Sequence, residues 1–188
     1  HMKLMILDGN SIINRAFYGV GYLSSKSGQP TGAVYGFLNI MQSLLDAEQP
    51  EALAVAFDEK GPTFRHTAYE GYKATRKPMP DELASQMPIL KDILSAMHIP
   101  TYSLSGWEAD DILGTAGRIC GEHGWDCVIV TGDRDSLQLV DDHVTVKLIT
   151  TKGGQTRSVN YTPAVFQEEY GFSPKGLIDL KALMGDSS

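Results

Sequence analysis

At 188 residues, with 42% hydrophobic and 21% charged residues, the chain has the length and composition of one soluble globular domain with a full core. No apolar run reaches the roughly 18–20 residues needed to span a bilayer, and no signal-peptide pattern is present, so a membrane partner is not expected. The net charge of −7 argues at first against nucleic acid, whose phosphates demand a basic surface. His1-Met2 reads as the remnant of a cleaved tag and is set aside. Residues 3–7 (Lys-Leu-Met-Ile-Leu) predict a buried strand, and 11–20 a helix that carries Arg15. A Gly/Ser/Pro turn over 24–31 leads to a helix over 32–48, with Val34, Phe37, Leu38, Met41, Leu44 and Leu45 at helical spacing. Residues 52–57 read as a second apolar strand. The stretch 59–80 breaks the pattern, being basic, aromatic and closed by two prolines. A helix over 81–98, a short strand over 101–104 and a helix over 107–123 follow, the last stopped by Gly124. Strands over 127–131, 144–149 and 157–161 and helices over 163–170 and 174–184 complete the chain. Cys120 and Cys127 lack CxxC spacing and sit in apolar settings, which predicts reduced core thiols of a cytoplasmic protein rather than a disulfide or zinc site.

Strands alternating with helices predict an α/β fold, with a parallel central sheet covered on both faces. Sites in such sheets lie beyond the carboxyl ends of the strands. Acids stand at those ends: Asp8 after the first strand, Asp58 after the second, Asp133 and Asp135 after 127–131. Glu108, Asp110 and Asp111 open the helix over 107–123, and Asp186 lies near the end of the chain. Each has an innocent reading. Ser105-x-x-Glu108 fits a capping box, Asp110 and Asp111 suit the positive end of a helix dipole, and Asp8 and Asp133 can cap the helices after them.

Together the eight are harder to dismiss. Two carboxylates about 5 Å apart repel by roughly 3 kcal/mol at an effective dielectric of about 20, so a compact group needs protons or shared cations. Oxygen ligands without neighbouring histidine or cysteine favour Mg2+ or Mn2+ over zinc, and His66, His98, His123 and His143 are scattered. Setting the eight aside leaves 15 acids against 16 bases, so a nucleic-acid partner becomes admissible again. Glu108 and Asp111 share a helix face at i,i+3, whereas Asp110 points elsewhere. Two or more hard metals in one site serve in-line phosphoryl transfer. No GxxxxGK[ST] loop and no GxGxxG after a strand is present, which leaves nucleotide-hydrolase and dinucleotide-binding readings without support.

The break over 59–80 adds a second signal. Lys60, Arg65, Lys73, Arg76 and Lys77 alternate there with Phe64, Tyr69 and Tyr72, and only Glu70 is acidic between Lys60 and Lys77. Cations that track a backbone, mixed with rings that stack bases, suit single-stranded nucleic acid; the plain alternative is a solvated loop with its rings tucked inward. Following directly on Asp58, a phosphate held by Lys73 or Arg76 would lie near the acids.

With these residues in view, the chain resembles the 5′-nuclease domain of bacterial family A DNA polymerases, within the flap-endonuclease superfamily. The resemblance runs through Leu7-Asp-Gly-Asn-Ser, Arg15-Ala-Phe, Ala33-Val-Tyr-Gly-Phe37, Val55-Ala-Phe-Asp58, Phe64-Arg-His and Tyr69-Glu-Gly-Tyr-Lys-Ala. It continues through Gly106-Trp-Glu-Ala-Asp-Asp-Ile-Leu, Val130-Thr-Gly-Asp-Arg-Asp, Tyr170-Gly-Phe and Leu183-Met-Gly-Asp186. It implies a PIN-like nuclease core with a helical arch, spanning 1–188, in which about 60–80 forms the arch that the 5′ strand enters. It implies a 5′–3′ exonuclease and flap endonuclease using Mg2+ or Mn2+, with Asp8, Asp58, Glu108, Asp110, Asp111, Asp133, Asp135 and Asp186 as metal-site acids. Arg15, Arg65, Lys73 and Arg76 would hold phosphates and Tyr72 would stack on a base. The implied partner is DNA with a 5′ flap or 5′ end, an RNA primer strand included, and the implied setting is a monomer in the bacterial cytoplasm at the nucleoid, acting in replication and repair. Two departures stand out. Family members continue past Gly-Asp-Ser-Ser to another metal-site aspartate and a duplex-gripping helix–three-turn–helix element, so the sequence is expected to be a weakly active fragment. Asn14 stands where many relatives have an aromatic. Two other readings remain open: a non-catalytic DNA-junction module, and a haloacid-dehalogenase-type phosphatase, which needs Asp-x-Asp where this chain has Asp8-Gly-Asn10.

Overall fold

The computed structural model describes residues 1–20, 23–59, 79–152 and 155–176. Its centre is a six-stranded sheet of β1 (Lys3–Asp8), β2 (Ala52–Ala56), β3 (Thr101–Tyr102), β4 (Asp126–Thr131), β5 (Val144–Lys152) and β6 (Gln155–Tyr161), in spatial order β3-β2-β1-β4-β5-β6. β1 to β5 run parallel and β6 returns antiparallel to β5. The predicted α/β class with a parallel-type sheet is what the chain adopts. The antiparallel last strand follows from its link to β5, which is too short for the dozen-residue crossover that a parallel pair requires.

Side chains alternate across each strand, so every central strand feeds two cores. Met5, Leu7, Val55, Phe57, Val128 and Val130 face α1 (Gly9–Val20), α2 (Gly32–Glu48) and the helix pair α3 (Asp81–Ala84) and α4 (Gln86–Ala96). Ile6, Ala54, Ala56, Cys127, Ile129, Val146 and Leu148 face α5 (Ala109–Glu122), the 3-10 helix Arg134–Leu139 and α6 (Pro163–Tyr170). Burial on both faces is why these strands read as near-continuous apolar runs. The two cysteines are free and buried, in the second core.

Two helices differ from the sequence reading. The single helix expected over 81–98 is interrupted at Ser85, which puts Pro88 in the first turn of α4, where a missing N–H costs no intrahelical bond. Gln86 is 1% exposed, and its Oε1 accepts from the amides of Ala33 (2.8 Å) and Val34 (3.1 Å). It caps α2 from another element, while Thr31 makes no side-chain cap. The expected start of α5 at Trp107 moves to Ala109, with Glu108 as N-cap. Of the helix expected over 174–184, only residues 174–176 are described, and they are helical. The basic segment 60–78 and Asp186 lie outside the described residues.

Candidate active site

The chain leaves β1 toward β2 and β3 on one side and reaches β4, β5 and β6 on the other, so the topological switch point lies between β1 and β4, where α/β sheets open a crevice beyond the strand ends. Asp8 is the last residue of β1 and Thr131 the last of β4. The Thr131 hydroxyl donates to Asp8 Oδ2 at 2.8 Å and the Ser11 amide to Asp8 Oδ1 at 3.2 Å. The Gly132 amide donates to Ser11 Oγ at 2.7 Å, and the Asp133 amide to Thr131 Oγ1 at 3.1 Å. These bonds sew the two strand ends together and hold Asp8, 5% exposed, at the seam.

The remaining acids are carried there by helix starts. Asn10 Oδ1 accepts from the Asp58 amide at 2.9 Å, and Asp58 Oδ1 accepts from the first amide of α5, Ala109, at 2.6 Å. Glu108 and Asp111 form a reciprocal capping box, with the Glu108 amide 2.9 Å from Asp111 Oδ2. The box expected between Ser105 and Glu108 therefore sits three residues later. Asp133 Oδ1 accepts from the Asp135 amide at 2.9 Å and caps the 3-10 helix. Capping and proximity thus coexist at this edge of the sheet: amides at helix starts hold Asp58, Glu108 and Asp133, and Asp8, Asp58, Glu108 and Asp133 all lie close enough to Asp110 to repel it.

That edge is electrostatically crowded. Asp110, half-buried, is pushed up from 3.8 to about 7, first by burial and then by Asp8, Asp133, Asp58 and Glu108. Burial likewise raises Asp8 to about 6; the bonds from Thr131 and Ser11 oppose the rise, and Asp58 and Asp133 add to it. Asp110, which helical spacing set apart from Glu108 and Asp111, thus feels four of the other acids. Arg134, between Asp133 and Asp135 in sequence, pairs instead with Glu169 on α6 at 2.9 Å. Among the described residues no three His, Cys, Asp or Glu side chains form a group that could hold an ion as they stand. The donor set is nevertheless all oxygen, as Mg2+ and Mn2+ require, and its crowding is what a divalent cation relieves.

Arg15 is the described member of the expected phosphate-binding set. Its Nη2 donates to the Gly132 carbonyl at 2.9 Å, and a Cβ on Gly132 would lie 2.0 Å from its Nε. A methyl at 132 would therefore push the guanidinium aside. Gly9 is constrained more tightly, since a Cβ there would meet the buried Phe57 ring at 2.4 Å. Arg15 and Asp133 share an open cleft of about 490 Å3 with Ser11, Asn14 and Tyr18. Arg65, Tyr72, Lys73 and Arg76 fall outside the described residues. Sequence reading passed over Asn10, Ser11, Thr131 and Gly132, which position the acids without being acidic. Their signal lay in the Asp-Gly-Asn-Ser and Thr-Gly-Asp strings that surround Asp8 and Asp133.

Known proteins resemble this chain in sequence and fold. Residues 3–171 match the family described as 5′-3′ exonuclease, N-terminal resolvase-like domain. The chain is 46% identical over 187 residues to DNA polymerase I of Caldicellulosiruptor bescii, aligning in full with 22% of that protein, and 42% identical over 186 residues to DNA polymerase I of Bacillus subtilis, where 99% of it covers 21%. It thus spans about a fifth of the length of these relatives. Its fold is similar to that of T5 5′-exonuclease with bound zinc (TM-score 0.72, 24% identity, 96% of this chain and 65% of that one). It is more distantly similar to the catalytic core of Rad2 in complex with a DNA substrate (TM-score 0.51, 17% identity, 96% and 54%). This chain, by its residues 3–171, belongs to the 5′-3′ exonuclease family as an N-terminal resolvase-like domain.

Proposed function

We propose that the chain is the catalytic core of a structure-specific 5′–3′ exonuclease and flap endonuclease that hydrolyses DNA phosphodiester bonds with divalent metal ions. The observation that carries this reading is the gathering of Asp8, Asp58, Glu108, Asp110 and Asp133 at the switch point, where burial first and neighbouring acids second raise Asp8 and Asp110. Those five, with Asp111, Asp135 and Asp186, would hold Mg2+ or Mn2+. Such ions supply an activated water and stabilise the charge that develops on the phosphate. The protein's own part is to hold the acids in place: Thr131 and Ser11 bond Asp8, Asn10 positions Asp58, and the first amide of α5 fixes the Asp58 carboxylate. Arg15, beside Asp133 in the cleft, offers a planar fork of N–H donors suited to a phosphate. Arg65, Lys73 and Arg76 would hold further phosphates and Tyr72 a base as the 5′ strand passes the arch. The substrate is DNA with a 5′ flap or 5′ end, an RNA primer strand included. The chain acts as a monomer in the cytoplasm, and in a longer parent a polymerase would follow it. Among the described residues no helix is long and apolar enough to cross a membrane.

A second reading, a DNA-junction module that binds without cutting, is favoured by one observation, the open arrangement of the described acids. A haloacid-dehalogenase-type phosphatase finds no such support, since Asn10, at the position where that chemistry needs a second acid, is bonded to the Asp58 amide. The deciding experiment combines cleavage of 5′-flap DNA, with and without Mg2+, with Mn2+ titration of the wild type and Asp133→Asn. Metal-dependent products, together with weaker Mn2+ binding by the variant, support the nuclease. Flap binding without product under any metal, with Mn2+ binding unchanged by the substitution, sinks it in favour of the junction module.

A further inference from the structure

α1 is amphipathic. Its buried residues are Ile12, Ile13 and Ala16, which pack into the first core. Ser11, Asn14, Arg15 and Tyr18, spaced i, i+3, i+4 and i+7, form a stripe along a second face of the same helix. Here that stripe is polar and opens onto the cleft of about 490 Å3 that also contains Asp133 and Gly132. Tyr18, at its far end, is 69% exposed, and its ring meets Phe17 edge-on at 5.0 Å and 83°, which leaves a face uncovered. A single exposed aromatic is ordinary. An aromatic that lines a cleft with a fixed guanidinium on one helix stripe, beside an acid of the crowded edge, is a more specific arrangement.

We infer that Tyr18 is a stacking platform for a nucleobase next to the phosphate held by Arg15, so that α1 grips one nucleotide by both its parts. This rests on the nuclease reading and adds a binding residue to it. Arg15 and Tyr18 are separated by about 4.5 Å along the helix axis, within the reach of one nucleotide from phosphate to base. Arg15 spends one of its five N–H donors on the Gly132 carbonyl, which fixes the plane of the group while it lines the cleft. Stacking on a ring is tolerant of base identity, as an enzyme that acts on flaps of any sequence requires. Asn14, one turn before Tyr18 on the same stripe, supplies an amide that can reach a base edge or sugar.

The test pairs protein and DNA changes. Binding and single-turnover cleavage are measured for wild type, Tyr18→Phe and Tyr18→Ala on 5′-flap DNA, intact or with one abasic nucleotide at each position flanking the scissile phosphate. Tyr18→Phe is expected to match the wild type, and Tyr18→Ala to lose roughly 10-fold in affinity. At one position the abasic substrate should cost the wild type the same factor and Tyr18→Ala nothing more. Equal behaviour of Tyr18→Ala and wild type, or losses that multiply at every abasic position, overturns the platform while leaving the nuclease reading intact. A wild type that neither binds nor cuts flap DNA overturns both.

Discussion

At the start of β1, Lys3 reaches Glu48 at 3.1 Å, and Lys147 reaches the other oxygen of the same carboxylate at 3.0 Å. Five residues later, at the end of the same strand, Asp8 faces Asp58 and Asp133. Burial pushes Glu48 up, but hydrogen bonds and attraction from Lys147 and Lys3 outweigh it and hold the group below its ordinary value. For Asp8, burial wins. One carboxylate is a finished staple, with its cations built into the sequence; the other belongs to a set of like charges, which divalent ions would balance on the proposed function. Total charge or a count of acids does not separate these cases, but the identity of the neighbours does.

The largest expected effect lies at the end of β1. Asp8→Asn or Asp133→Asn should lower Mg2+-dependent flap cleavage by ~100-fold or more, the scale on which a preorganised electrostatic contact acts. Either variant should unfold in metal-free buffer at a temperature equal to or above that of the wild type, because a repelling charge has been removed. A lowered midpoint in chelator would show that these acids stabilise the fold by themselves and would erase the contrast. At the start of the strand the sign reverses. Glu48→Gln strands a lysine whose side chain is 7% exposed, and should cost about 3 kcal/mol in urea unfolding. Combining it with Lys147→Met should recover much of that loss.

Gly132→Ala sharpens the comparison by disturbing geometry alone. The new methyl displaces the Arg15 guanidinium, and we expect weaker DNA binding with a stability loss of about 1 kcal/mol or less. The smallest effect is the pH response. Asp8 and Asp110 hold their protons more tightly folded than unfolded, so metal-free stability should fall as pH rises from 3.8 through about 6 and about 7. Glu48 acts oppositely, contributing stability that is complete above its ordinary 4.5 and lost as pH falls through its lowered value. Thermal midpoints from pH 4 to 8 should show the downward slope in chelator and lose it in Mg2+, and the Asp8→Asn/Asp110→Asn double variant should lack it without metal.

How much of this was legible in the sequence depended on whether a feature was local. Apolar runs ending in aspartate gave β1, β2 and β4 and the acids that follow them, because strand burial and strand-end position are written in neighbouring residues. The spacing over 32–48 gave α2 to the residue. Gln86 as the cap of α2 was not legible, since 53 residues separate it from Ala33. Nor was the surrounding of Asp110, because helical spacing places a side chain relative to its own helix and says nothing of Asp8 or Asp133 across the crevice. The close approach at Gly132 comes from a side chain 117 positions away. Short strings around Asp8 and Asp133 marked such places without explaining them.

The thread from Asn10 through Asp58 to Ala109 joins three pieces of chain that are 48 and 51 residues apart. Contacts of such separation form late, after local helices and hairpins. An incompletely folded chain therefore keeps these acids dispersed. On the proposed function, ion uptake would accompany the completion of folding, and a molecule able to cut would be one that has already folded.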